Sequence, residues 1–227
     1  MYFLTMSVSP KMATLVFIHG GKVVDSRPIA HFLLRLEAAV DYYRTHYEQE
    51  QVLFLVSGRW TSVTEEYPLT EAEVGKRWIE ERLPDAKVYK EDISVELIGN
   101  YAFSKPIIEA IAPNTVIIPT SLLLLPRSEA IARRIFHVDI RYELLVITED
   151  LADNDVLVAR ESNALYLFEQ LFDGIADGDD TAFRDRLLYK TPYYTKGIID
   201  DPTFFNQYWR GGFNNYLQGR EIRSKLN

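Results

Sequence analysis

Thr14-Leu15-Val16-Phe17-Ile18-His19-Gly20-Gly21 decides the fold. The unbroken apolar and β-branched run reads as a strand buried on both faces. The glycine pair behind it reads as a tight exit from that strand into a helix. Runs of the same texture recur at Val52–Val56, Thr115–Pro119 and Glu143–Ile147, with a weaker one at Lys87–Lys90. Helical stretches separate them. Ile29–Glu48 places Ala30, Leu33, Leu34, Ala38, Val40 and Tyr42 mostly on one face. Thr70–Leu83 opens on Thr70-Glu71-Ala72-Glu73, a capping-box pattern in which Glu73 can reach back to the threonine, and Pro84 stops it. Ile98–Ala112 and Arg127–Phe136 follow. Strands alternating with helices build right-handed βαβ units. The expectation is therefore an α/β, Rossmann-like three-layer sandwich with a mostly parallel sheet of about five strands.

The texture changes near residue 160. Glu161–Ala176 and Thr181–Tyr189 read as helices around the acidic turn Asp177–Asp180, and an aromatic tail follows, with Tyr193, Tyr194, Phe204, Phe205, Tyr208, Trp209, Phe213 and Tyr216. Residues 1–160 are read as the α/β domain and 161–227 as a helical, aromatic-rich C-terminal appendage packed on it.

The 227 residues contain no cysteine, and 25 Lys+Arg against 33 Asp+Glu give a net charge of -8. Lacking thiols, the chain has no disulfide scaffold, zinc–cysteine site or cysteine nucleophile, and it suits a reducing, cytoplasmic setting. Its acidity argues against nucleic acid as a partner. No apolar run approaches the roughly 20 residues of a membrane span. Met1–Met12 carries Lys11 as its only positive charge, which is no pattern for a signal peptide. His19, His31, His46 and His137 are scattered without metal-ligand spacing, so no metal site is expected.

In a doubly wound sheet, ligands bind beyond the carboxyl ends of the strands, where the strand order reverses. The residues at those ends are His19, Gly20, Gly21 and later Lys22 and Arg27; Ser57, Gly58 and Arg59; Glu91, Asp92 and Ser94; and Thr120, Ser121 and later Arg127. Glycines allow close backbone approach, hydroxyls donate hydrogen bonds, and arginines grip phosphate or carboxylate with two prongs. The glycine pairs form neither a dinucleotide fingerprint nor a P-loop, and serve equally well as plain strand-to-helix turns. Glu71 reads either as a pocket carboxylate or as a helix-start residue favoured by the dipole.

Taken together, these pieces resemble the YdcF/SanA/ElyC-like family of bacterial Rossmann-like proteins. The resemblance covers about residues 13–150. It runs through Val16–Gly21, the Arg35-Leu36 pair and the helix to Arg44, Val56-Ser57-Gly58, Thr70-Glu71-Ala72, Glu91 and Ser94, Asn100, Thr120-Ser121 and Arg127. Three positions depart from the family pattern. Glu96-Leu97 stands where asparagine-threonine is usual, Gly99 where glutamate is usual, and Leu124 where histidine is common. The resemblance implies ligand contacts at the matched residues, including Asn100, and S-adenosylmethionine as a candidate cofactor. It also implies that chemistry needing that histidine cannot run here in the usual way.

Two functions are expected to compete. In the first, the chain binds a small anionic or nucleotide-like ligand at the strand ends, as a hydrolase or transferase. Glu71 and Glu91 would be its acid/base or metal-facing carboxylates, Ser57, Thr120 and Ser121 its hydrogen-bond donors, and Arg59 and Arg127 its anion grips. In the second, it is a non-catalytic ligand sensor or interaction protein that forms a homodimer through the appendage.

Overall fold

A computed structural model describes residues 12–21, 23–59, 69–148, 155–191 and 194. Lys22 and the tail aromatics other than Tyr194 lie outside the described residues.

The protein is α/β. Five parallel strands form one sheet: β1 (Ala13–His19), β4 (Gln51–Ser57), β5 (Lys87–Glu91), β6 (Thr115–Ser121) and β7 (Tyr142–Ile147). A small hairpin, β2 (Val23–Val24) with β3 (Arg27–Pro28), follows β1. Its turn residues Asp25 and Ser26 both have positive φ, at 49° and 57°. That is a primed hairpin turn, and the sequence hides it because neither residue is glycine or asparagine. The helices are α1 (His31–His46), α2 (Glu71–Glu80), α3 (Leu97–Ile111), α4 (Leu125–Phe136), α5 (Asp155–Leu171) and α6 (Asp180–Lys190).

The strand order is β5-β4-β1-β6-β7. The chain winds outward from β1 to β5, returns through α3, and winds outward again from β6, so the order reverses between β1 and β6. Strand alternation sorts the core into two faces. Val16, Ile18, Phe54 and Val56 pack with Phe32 and Leu36 of α1 and Ala72 and Ile79 of α2. Leu15, Phe17, Leu55 and Ile118 pack with Tyr101 and Ile107 of α3 and Ile131 and Phe136 of α4. Phe168 and Phe172, and then Phe183 and Leu187 of α6, join this second cluster. The appendage thus shares the sheet domain's core. Helix α5 begins before residue 160 and runs across it. Lys105 of α3, 2% exposed, fastens α6 by donating to both oxygens of Asp180 at 2.8 Å.

Helix α2 keeps half of the expected capping box. Thr70 Oγ1 accepts from the Glu73 amide at 3.1 Å. The Glu73 carboxylate does not reach back; it takes Arg77 Nε at 2.8 Å and Lys90. Among the described residues, no helix is long and apolar enough to cross a membrane.

Candidate functional site

Strand register places His19 opposite Ser57, and Ser57 opposite Glu91. The three form a polar row across the strand ends, on the α3/α4 face. Strands β1 and β6 pair only as far as Val16 and Ile117, although they continue to His19 and Ser121. Their carboxyl ends splay apart and open a crevice at the reversal of strand order.

A cavity of about 480 Å³ occupies that crevice. Of the candidate residues read from the sequence, His19, Gly20, Gly21, Asn100, Ser121 and Arg127 line it. The N-termini of α1 and α4 open onto it through Ala30, His31, Leu124 and Arg127, and neither helix has a side-chain cap among the described residues. Amides at a helix start attract anions; here Phe32 N already donates to Ile29 O, and Pro126 of α4 has no amide to give. His19 is 1% exposed, and its Nε2 has no hydrogen-bond partner among the described residues. Burial, then the charge of Arg35, hold its pKa well below the usual histidine value; a bond to the Gly20 backbone works the other way, and the charge of Arg127 adds a smaller push down. The ring is therefore neutral, and Nε2 is an acceptor waiting for a donor.

Below this cavity the remaining candidates form a buried strut. Glu91 is fully buried. Its Oε1 accepts from the amides of Ile93 at 2.6 Å and Ser94 at 2.9 Å. Its Oε2 accepts from Ser57 Oγ at 2.5 Å and from Ser94 Oγ. Ser94 Oγ also faces Asn100 Oδ1. One hydroxyl proton cannot serve both acceptors, and a proton on Glu91 resolves the count. Burial pushes the Glu91 pKa up to about 7, against the four hydrogen bonds that lower it. Ser57, Glu91 and Ser94 thus hold the loop that carries α3 and Asn100 to the cavity. Thr120 Oγ1 meets Ser128 Oγ at 3.1 Å and steadies α4, while Ser121 Oγ accepts from the Leu124 amide at 3.2 Å.

Glu71 sits on the opposite face, 4% exposed. A Cβ on Gly20 would lie 2.2 Å from its Oε2, and one on Gly58 would lie 2.6 Å away. These glycines make room for a carboxylate of the chain itself. Gly58 also has φ +131°, a conformation that other residues rarely adopt. The Arg59 amide donates to Ser94 O at 2.6 Å. Arg27 lies away from the crevice, in a second cleft of about 990 Å³ that Trp78 of α2 and Arg44 of α1 also line. The structure does not gather Arg27 with Arg127, because the β2–β3 hairpin carries it sideways.

Four further residues shape the cavity without any role read for them in the sequence. Arg35 is 2% exposed and ties down the end of β1, donating to His19 O at 3.1 Å and Gly20 O at 2.8 Å. Glu96 caps α3, accepting from the amides of Ile98 at 2.7 Å and Gly99 at 2.5 Å. Burial raises its pKa. Tyr194 donates to Glu96 Oε1 at 3.1 Å and is 5% exposed. Glu161 of α5 lies 2.7 Å from Arg127 Nη2. Two of these partnerships reach from the appendage, at sequence separations that no local pattern encodes.

Gly99 is what admits Tyr194: a Cβ there would stand 1.9 Å from its hydroxyl oxygen. Gly99→Ala is expected to cost about 2 kcal/mol, as overpacking does. In a Tyr194→Ala background most of that cost should go, leaving only the Glu96 Oε1 that stands 2.9 Å from the same Cβ, against which alanine's helix preference of about 1 kcal/mol works. Urea unfolding of the four proteins reads the difference.

A comparison with known protein families finds no matching model, and a comparison with curated proteins finds no match. The fold and the crevice define the class: a Rossmann-like α/β protein with a cavity at its topological switch point.

Proposed function

We propose that this protein binds a small ligand carrying an anionic, phosphate-class group in the crevice between β1 and β6, as a hydrolase or transferase of the YdcF/SanA/ElyC-like kind. The observation that carries the reading is the neutral, buried His19, whose Nε2 has no partner among the described residues, facing a cavity onto which two helix N-termini without side-chain caps open. The helix starts and Arg127 suit the anion. His19 Nε2 suits a ligand hydroxyl or amine, from which a neutral imidazole takes a proton. The roles expected for Glu71 and Glu91 pass to structure, since neither lines the cavity. A nucleotide belongs to this ligand class; S-adenosylmethionine, whose one anionic group is a carboxylate, does not, and enters the screen as the cofactor that the resemblance implies. A second reading, a sensor that dimerises through its appendage, draws on the exposed Tyr166 and Leu167 of α5.

Thermal-shift titration with phosphate monoesters and nucleotides tests this. A ligand at about 100 times its Kd stabilises by about 2.7 kcal/mol, a rise in Tm of about 5–10 °C for a chain of this size. Arg127→Gln should remove most of that rise while the protein alone melts cooperatively. No rise with any anion, together with a dimer on size exclusion, would favour the sensor.

A further inference from the structure

We infer that Glu161 selects the charge of the ligand: it holds Arg127 and yields only to a dianionic, phosphate-class group. This rests on the reading of the crevice as an anion site. Glu161 stands in the N-terminal half of α5, and α5 buries only Phe168, which lies two turns further on. Among the described residues, the half that reaches the crevice is less deeply buried, with Leu157 and the ion pair at the cavity and Leu165 against the core. The pair is close but incomplete. Arg127 Nη2 lies 2.7 Å from Glu161 Oε2, while the buried Arg127 Nε has no hydrogen-bond partner among the described residues. An ion pair taken partly out of water and left short of hydrogen bonds is readily exchanged for a better one.

What can replace Glu161 follows from charge. A carboxylate ligand would substitute one carboxylate for another, and it would do so against a competitor tethered to the same chain. A phosphate group brings nearly two charges and three acceptor oxygens. It can take both edges of Arg127, the uncapped start of α4, and Arg160, which lines the same cavity. These bonds together outweigh the single ion pair that Glu161 surrenders. Glu161 thereby turns an arginine that would accept any anion into one that rejects monocarboxylates.

Calorimetric titration at pH 8, with inorganic phosphate and acetate as probes, tests the filter on the full chain. Wild-type protein should bind phosphate and not acetate. Glu161→Gln should bind phosphate about tenfold more tightly and gain measurable acetate binding, and Glu161→Ala should do the same if the glutamine is poorly tolerated. Arg127→Gln should weaken phosphate at least about tenfold. If both Glu161 variants bind phosphate no more tightly than wild type while Arg127→Gln weakens it, the filter is overturned and the anion site stands. If neither probe binds wild type or the Glu161 variants, the anion site falls and the filter falls with it.

Discussion

Glu91→Gln should make the protein more stable at pH 8 and leave it unchanged near pH 4, whereas Glu91→Ala should come close to unfolding it. The folded Glu91 titrates at about 7, above its ordinary 4.5, because burial opposes its charge. A carboxyl group raised in this way favours the folded state fully below pH 4.5, and that contribution is lost as the pH climbs to 7. The span corresponds to about 3 kcal/mol. Glutamine mimics the protonated acid. Its oxygen can keep the Ile93 and Ser94 amides, and its NH₂ can donate to the two serine hydroxyls. The difference between the Glu91→Gln variant and wild type should therefore grow by about 3 kcal/mol between pH 4.5 and 7. His19 works in the opposite sense: buried neutral, it costs stability as the pH falls below 6.5. Because both proteins carry it, the difference cancels it. Alanine leaves the Ile93 and Ser94 amides buried without their acceptor, at about 1–3 kcal/mol each if no water enters, and empties the volume that the side chain filled. A total of about 4 kcal/mol or more is expected from urea unfolding. A flat difference across pH 4.5–7 would mean that Glu91 is ionised in the fold.

The strands and the parallel sheet are legible in the sequence because each buried strand is a local run, and residue order alone puts His19, Ser57 and Glu91 at strand ends; the strand order is not. Sequence position could not say which face each end residue serves. Ser57 and Glu91 both stand at a strand terminus, as His19 does, yet they point under α3 and bond to one another, and only His19 keeps an atom for the cavity. The residues that complete the cavity were harder still. Glu161 meets Arg127, and Tyr194 meets Glu96, from the far side of a chain reversal. Glu96 and Gly99 are visible in the sequence as departures from a pattern. In the structure they are a matched pair, one capping α3 and holding Tyr194, the other leaving space for it.

Gly20→Ala should cost about 3 kcal/mol or more, the second large effect expected here. The new Cβ would stand 2.2 Å from Glu71 Oε2, 2.7 Å from Ser57 O and 3.1 Å from Glu71 Cβ. The carboxylate can swing away, but the carbonyl is main chain of β4 and cannot. Overpacking against backbone lies at the upper end of the usual 1–3 kcal/mol range. At about 2–4 °C per kcal/mol for a chain this long, Tm should fall by about 6–12 °C. Gly174 supplies the control, since it has φ +74° and nothing within 4 Å of its Cβ position. Gly174→Ala should cost only the left-handed backbone penalty, about 1 kcal/mol. Combining Gly20→Ala with Glu71→Ala separates the two obstacles. If the close fit around Glu71 is the reason for glycine, the cost of Gly20→Ala should drop by about 1 kcal/mol in the Glu71→Ala background, and the remainder is the Ser57 carbonyl. Strict additivity would place the whole cost on the backbone. It would then be the pairing of His19 with Ser57, rather than the seat of Glu71, that demands a glycine at the mouth of the crevice.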